Sequence, residues 1–323
     1  MFAVYATKGD LNNPLSSFAR GEMPEPKIKE GWVRVKATHV SLNRHDVFTL
    51  QGLSGQEEPI RFPMIMGNDG AGLLDDGTPV AIYPVMNDPE YRGDEMLDPK
   101  WHVFSELVPG TMAEYVAVPK RNAIPMPQGM KPEHAASMGT AWLTAYRALF
   151  TKSNLKAGQR MLVQGAGGGM STAFIQMGLA AGFDVWVTCR SEGAKEVCKK
   201  LCVKHIHRIN EKLPVLVHAV FDNVGPVTLQ HSLDSVVRGG AVVSLGMTTG
   251  LEAKINLLNV FVREIKIVGS VMGTREEFMQ LLSFVQEKGI IPETGKIVPA
   301  TEAYDAFKEM IEGGTKGKTV FTF

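Results

Sequence analysis

The segment Met161-Leu-Val-Gln-Gly165-Ala-Gly167-Gly168-Gly169-Met170-Ser171-Thr172 constrains this chain more than any other. An apolar strand-like run enters clustered glycines, and Ala173-Phe-Ile-Gln-Met-Gly-Leu179 then carries the pattern of an amphipathic helix. A helix N-terminus brings unpaired N–H donors and a partial positive charge to such a turn, and glycines let the backbone approach an anion closely. The expectation is a pyrophosphate cradle made by Gly165, Gly167, Gly168, Gly169 and Met170, against the plainer reading of a tight strand-to-helix turn. The spacing departs from Gly-x-Gly-x-x-Gly, because Met170 takes the third glycine's place. The nearest match is Gly165-x-x-Gly168-x-x-Ser171, with a small residue closing the helix contact.

The surroundings support the dinucleotide reading. Between about residues 132 and 269, short apolar runs at 161–164, 184–188, 217–222, 241–245 and 265–268 alternate with helix-like stretches, which argues for a parallel sheet covered by helices. Earlier residues are rich in Pro and Gly and carry short alternations such as Trp32-Val-Arg-Val-Lys-Ala37, the signature of irregular β structure. Residues 87–110 are mostly polar and contain Pro89, Pro99 and Pro109, so they form a long excursion of the kind that is functional or mobile. Helices are expected over 275–288 and 302–311, and a last strand over 319–323. The fold class is therefore α/β, with a doubly wound parallel sheet in the middle of the chain.

Charge and cysteine usage narrow the function. With 34 basic and 34 acidic side chains there is no electrostatic footprint for nucleic acid. No apolar run is long enough to span a bilayer, and the first residues lack a signal peptide's order. Only Cys189, Cys198 and Cys202 occur, an odd set within one segment, which suits a reduced cytoplasmic protein better than a disulfide framework.

Cofactor type is readable where the second parallel strand ends, at Val187-Thr-Cys-Arg190-Ser191. An acidic residue there would hold the ribose hydroxyls of NAD; this chain has a guanidinium, a hydroxyl and, a helical turn on, Lys195. These groups suit a 2′-phosphate and hence NADPH, with Glu192 as the opposing neighbour and a solvated basic loop as the other reading.

The chain resembles the medium-chain dehydrogenase/reductase superfamily, specifically its zinc-free, quinone-oxidoreductase-like branch. The matching segments are Val40-Ser-Leu-Asn43-Arg-His-Asp46, Phe62-Pro-Met-Ile-Met-Gly67-Asn-Asp-Gly70-Ala-Gly72, Gly110-Thr-Met-Ala-Glu-Tyr115-Val, Thr144-Ala-Tyr146, the glycine turn, Phe221-Asp-Asn-Val-Gly225 and Gly269-Ser-Val-Met-Gly273. The resemblance implies a GroES-like β barrel of residues 1–122 completed by the C-terminal 271–323, a Rossmann dinucleotide-binding domain of residues 123–270 inserted into it, an active site in the cleft between them, and a homodimer. It also assigns Arg44, Thr144, Asn223, Val224, Gly246 and Ser270 to the cofactor.

At the positions where zinc relatives carry metal ligands, this chain has Asn43, Asn68 and Thr140, with Asp69 in the acidic place. Amides and a hydroxyl are poor zinc ligands, so no active-site metal is expected. A second cluster, Cys198-x-x-x-Cys202-x-x-His205-x-His207, has ligand-like residue types, but a helix followed by a strand would make its side chains diverge, with both histidines on one strand face. Without zinc, the reaction most consistent with the site is hydride delivery to a quinone or an α,β-unsaturated carbonyl. Two readings stand for His45, which matches the position of a proton-relay hydroxyl: proton donor, or a solvent-facing histidine at a helix start. Asn43 and Asn68 are candidates to orient substrate or the carboxamide, and Tyr146 reads as packing. The competing class is a dinucleotide-binding protein with little catalysis, crystallin-like or redox-sensing. One local departure is predicted: only Glu211-Lys-Leu-Pro214-Val-Leu216 separates the third and fourth strands, too short for the usual crossover helix, so Leu213, Val215 and Leu216 are expected against the sheet.

Overall fold

Short strands occupy the Pro- and Gly-rich first part of the chain, as alternation requires. In the computed structural model, which describes residues 1–323, β1 (Phe2–Ala6) pairs antiparallel with β2 (Phe18–Glu22) and β4 (Met64–Ile65). β3 (Trp32–Ser41) is the spine of a larger sheet ordered β10 (Ala123–Pro125), β6 (Pro79–Ile82), β5 (Ala71–Leu74), β3, β18 (Lys318–Thr322) and β17 (Thr294–Pro299), with β9 (Tyr115–Pro119) also on β3. The terminal strand β18 lies antiparallel to β3, Val320 opposite Ser41, so the C-terminal tail completes the GroES-like part. Val35, Val40, Leu42, Met66, Phe104, Phe307 and Phe321 fill its core, each large apolar side chain contributing about 1.5–3 kcal/mol on burial.

Helix α1 (Arg44–Gln51) presents Asp46, Val47, Thr49 and Leu50 inward and keeps Arg44 and His45 nearer solvent. It stops at Gly52, where φ is +77° and the Cα of Gly9 lies 3.0 Å from the place a Cβ would take. Neither the left-handed turn nor that contact accommodates another side chain. The excursion 87–110 is tied down: β7 (Val85–Met86) pairs with β8 (His102–Val103), and buried Asp98 accepts the N–H groups of Asp88 (2.7 Å) and Lys100 (2.8 Å).

By contact the chain divides into two units, Met1–Ala141 with Gly273–Glu287 and Thr294–Phe323, and Trp142–Met272 with Lys288–Glu293. The first unit runs past the expected residue 122 to Ala141, because β10 pairs with β6 and α2 (Pro132–Ala135) packs on β3 and β5. Helices α8 (Arg275–Glu287) and α9 (Ala303–Ile311) also belong to the first unit. Residues 288–293 go with the second, where the Gln176 amide holds Ile291 O (2.6 Å) and Glu293 N (2.9 Å).

The second unit is a parallel sheet ordered β13 (His205–Arg208), β12 (Asp184–Cys189), β11 (Arg160–Val163), β14 (Val217–Asp222), β15 (Val236–Ser244), β16 (Lys266–Gly269). Its helices are α3 (Leu143–Arg147), α4 (Gly169–Ala180), α5 (Glu192–Lys200), α6 (Pro226–Ser235) and α7 (Leu257–Val262). Strand order reverses between β11 and β14, and ligands of such sheets bind beyond the carboxyl ends of the strands at that switch point. No helix lies between β13 and β14, as the short linker with Pro214 demands. Leu213 packs into the sheet core as expected, whereas Val215 and Leu216 are exposed, a correction: the eight residues between Arg208 and Val217 form no helix that would present one apolar face, and of the three only Leu213 reaches the apolar cluster.

Candidate functional site

In the second unit the glycine turn is braced from both sides. The N–H of Gly165 donates to Thr188 Oγ1 (3.2 Å), that of Ala166 to Thr188 O (2.7 Å), and Ser171 Oγ donates to Gly165 O (2.9 Å). At Gly165 φ is +68°, and an added Cβ would sit 2.5 Å from Val224 Cγ2; at Gly167 φ is +121°, and a Cβ would meet Ala194 Cβ at 2.8 Å. Gly168 caps α4, Gly169 and Met170 open it, and no side chain caps the first turn. That leaves the helix N-terminus for an anion.

The turns that follow β14 and β15 continue this surface. A Cβ on Gly246 would lie 2.5 Å from Asn223 O, so the two turns touch through backbone. Asn223 Nδ2 donates to Ser171 Oγ (3.3 Å), Asp222 Oδ1 accepts from Val224 N (3.0 Å), and Thr144 Oγ1 lies 3.8 Å from Met272 Sδ. Asn223 Oδ1 and Ser270 Oγ are buried without a partner. Unpaired buried polar atoms are rare and costly, and these two belong to residues the resemblance assigned to the cofactor. Cradle and unpaired atoms together fit a pyridine dinucleotide.

A cavity of about 580 Å³ at the ends of β12 and β13 is lined by Arg190, Ser191, Lys195, His207 and Arg208, with Glu192 and Glu211 as the acids. Ser191 accepts the Ala194 N–H as the cap of α5, which leaves its own hydroxyl hydrogen to donate. Lys195 lies 3.8 Å from Glu192, an exposed and weak pair. Sequence reasoning missed Arg208. The signal was its place as the last residue of the third strand, where register sets it beside Cys189.

In the first unit, Asn43, Asp69, Thr140 and Lys318 form a closed network. The Lys318 ammonium donates to Asn43 Oδ1 (2.6 Å), Leu42 O (3.0 Å) and Asp69 Oδ2 (3.3 Å). Asp69 Oδ2 also accepts from Ser41 Oγ (2.8 Å) and Asn43 Nδ2 (2.9 Å), and its Oδ1 accepts from Thr140 Oγ1. Asn43 Nδ2 gives its remaining hydrogen to Ser41 O (3.3 Å), so both amide hydrogens are used. Burial pushes the lysine pKa down, and the Asp69 carboxylate opposes that shift. Asp46, beneath the same turn, accepts from Asn43 N (2.7 Å) and Gly67 N (3.0 Å); burial pushes it up to about 6 against the pull of the Asn43 N–H.

A zinc ion does not fit this set. The Asp69 carboxylate already faces an ammonium, that of Asp46 is taken up by the Asn43 and Gly67 N–H groups, the remaining groups are an amide and hydroxyls, and no three His, Cys, Asp or Glu side chains converge anywhere in the chain. The cysteine-histidine cluster is likewise dispersed: Cys198 is buried, Cys202 exposed, and His205 and His207 lie on one strand face, stacked on Trp186 at 3.9 and 5.3 Å between centroids.

Asn68 stands apart from Asn43. Its Nδ2 donates to Phe104 O, while its Oδ1 is buried with no partner. The His45 ring is half-buried, with Nε2 3.1 Å from Glu106 Oε1 and Nδ1 buried and unpartnered. It is therefore not the freely solvated histidine of the plainer reading. Arg44 donates to Met310 O (3.1 Å), and Tyr146 packs its ring on Phe150 at 4.7 Å.

A GroES-like part, a parallel sheet with its switch point and a glycine cradle define the architecture of pyridine-nucleotide oxidoreductases, and comparison with known proteins agrees. Residues 29–128 match the model of the alcohol dehydrogenase GroES-like domain and residues 169–287 that of the zinc-binding dehydrogenase. The chain is 27% identical to a zinc-type alcohol dehydrogenase-like protein of Schizosaccharomyces pombe, over 93% of this chain and 92% of that one. It is also 27% identical to the quinone oxidoreductase of Mus musculus, over 92% and 90%. Among solved structures, an NAD-dependent alcohol dehydrogenase superposes with a TM-score of 0.91 at 26% identity, covering 100% of both chains. The chain belongs to the medium-chain dehydrogenase/reductase superfamily, on its quinone-oxidoreductase-like side.

Proposed function

We propose that this chain is an NADPH-dependent reductase that delivers hydride to a quinone or an α,β-unsaturated carbonyl without zinc, with His45 as the proton donor. The observation that carries the reading is Lys318 closing the donor set of Asn43, Asp69 and Thr140, which leaves substrate polarisation to hydrogen-bond donors. In this reading Gly165, Gly167, Gly168, Gly169 and Met170 cradle the pyrophosphate, Arg44 contacts it, and Thr144, Asn223, Val224, Gly246 and Ser270 hold the nicotinamide end. When bound, the reduced nicotinamide supplies the hydride. His45 supplies the proton, Asn68 orients the substrate, and Asn43 holds Asp69 and Lys318 in place. Quinone oxidoreductases among the relatives support the substrate class. The exposed Leu257, Leu258, Phe261 and Val262 beside the edge strand β16 support a homodimer, and three free cysteines support a cytoplasmic location. No helix is long and apolar enough to cross a membrane.

Arg190, Ser191, Lys195 and Arg208 set the cofactor preference. Titration of the purified protein is expected to give NADPH affinity at least about tenfold above NADH, about 1.4 kcal/mol, within reach of one charge-assisted contact. Arg190→Ala should remove most of that margin, and equal affinities in the unaltered protein would refute the assignment. Metal analysis should find far less than stoichiometric zinc, and a chelator should leave NADPH oxidation unchanged; stoichiometric zinc with chelator-sensitive turnover overturns the reaction class. A panel of quinones and 2-alkenals tests the whole reading, since NADPH protection against thermal unfolding with no turnover on any member favours a binding protein.

A further inference from the structure

We propose that Glu106 is a positioning residue that holds His45 with its hydrogen on Nε2, making Nδ1 the nitrogen that exchanges a proton with substrate. The inference rests on the reading of His45 as proton donor and adds to it the partner and the working atom.

The carboxylate is built into the fold from three sides. Glu106 Oε1 accepts from His45 Nε2 (3.1 Å) and Gly55 N (3.1 Å), and Oε2 accepts from Val103 N (3.1 Å), with only 4% of the side chain exposed. Burial pushes its pKa up, but the hydrogen bond and charge of the His45 ring, with the Gly55 and Val103 N–H groups, outweigh it and hold the carboxyl below its ordinary range. An ionised carboxylate only accepts, so the nitrogen facing it must donate. That assigns the hydrogen to Nε2. Nδ1 is then left buried with no protein partner, a state proteins rarely tolerate unless the atom has work to do.

The segment carrying Glu106 is itself constrained. Ser105 is buried at φ +64°, a left-handed conformation uncommon for a residue with a side chain. Its Oγ lies 3.3 Å from Thr49 Oγ1 on α1, and its N–H donates to Val108 O (3.0 Å). The preceding carbonyl, Phe104 O, accepts from Asn68 Nδ2. Phe104, Ser105 and Glu106 thus anchor Asn68, α1 and His45 in succession, and the two anchored side chains of the proposed site, His45 and Asn68, each retain one unpartnered buried atom. The 87–110 excursion supplies this anchor.

The proton step balances. The doubly protonated ring gives its Nδ1 proton to the carbon or oxygen that becomes basic as the substrate accepts hydride, and the ring ends neutral with hydrogen on Nε2. Both ring nitrogens are shielded from solvent, so Nδ1 recovers its proton from water that enters as product leaves.

Nitrogen-15 NMR of histidine-labelled full-length protein tests the assignment, the His45 signals being those lost in His45→Ala. The neutral His45 ring should show pyrrole-type Nε2 and pyridine-type Nδ1; the opposite tautomer in the unaltered protein overturns the proposal without any Glu106 variant. Glu106→Gln should shift the ring toward the other tautomer and lower kcat roughly 10- to 100-fold, with NADPH affinity within about threefold. In the His45→Ala background the same substitution should have no further effect on kcat, as two members of one unit require. Glu106→Gln with parental tautomer and turnover defeats the dyad alone. A fully active His45→Ala defeats the reading beneath it.

Discussion

His45→Ala is expected to lower turnover on the best quinone or enone by roughly 100-fold or more while NADPH affinity stays within about threefold, the pattern for loss of a general acid. The argument begins with α1. Asn43 and Asp46 fix the first turn of that helix, the Asp46 carboxylate accepting the Asn43 N–H at 2.7 Å, so the backbone of His45 does not depend on its own side chain. Removing the imidazole therefore deletes a proton source without unwinding the helix, and the loss should appear in kcat rather than in cofactor binding. Glu106 keeps its Gly55 and Val103 N–H donors in the variant, so its charge is not stranded. Steady-state kinetics with parallel NADPH titration measures both quantities. A variant within about threefold of the parent in kcat sinks the proton-donor role, because general-acid contributions run from about 10²- to 10⁴-fold.

Lys318→Met should destabilise the GroES-like unit by about 3–5 kcal/mol, since it strands the buried Asp69 carboxylate while filling nearly the same volume. Lys318 and Asp69 are 3% and 0% exposed in their side chains, so water offers little screening and little relief. Removing both charges is a different matter. Paired with Asp69→Asn, the same substitution should recover more than half of the lost stability, because breaking a buried pair costs far more than replacing it by neutral groups. Thr140 and Ser41 donate to opposite oxygens of Asp69, so in Asp69→Asn one of them keeps the carbonyl oxygen and the other turns its hydroxyl to accept from the amide nitrogen. Calorimetry is the measurement, with the melting transition expected to fall by on the order of 10 °C in the single variant. A single variant that melts within about 2 °C of the parent would mean that Asp69 is not held by Lys318.

Local patterns made much of this protein legible before its structure. A strand running into Gly165 to Gly169 and then a helix was readable as a tight glycine turn, and positive φ with the close approach of Val224 and Ala194 excludes side chains at Gly165 and Gly167. Alternating apolar runs announced the parallel sheet, and the few residues before Val217, with Pro214 among them, announced its missing crossover helix. Asn43, Asn68 and Thr140 stood out by residue type alone.

What they do was decided only by tertiary contact. Lys318 meets Asp69 across 249 positions of sequence, and Glu106 meets His45 across 61; neither pairing has a period, a spacing or a local propensity to betray it. Asn43 and Asn68 looked alike as sequence, yet one has both amide hydrogens committed to a lysine-carboxylate network and the other keeps a buried oxygen unpaired. Arg208 joined the pocket of Arg190 and Lys195 through strand register, which puts it beside Cys189. Backbone geometry is dictated by neighbours in sequence, so the glycine turn could be read directly. The charge state and hydrogen-bond partner of a side chain are dictated by neighbours in space, and those exist only once β18 has closed on β3 and the segment before Gly110 has folded back on α1.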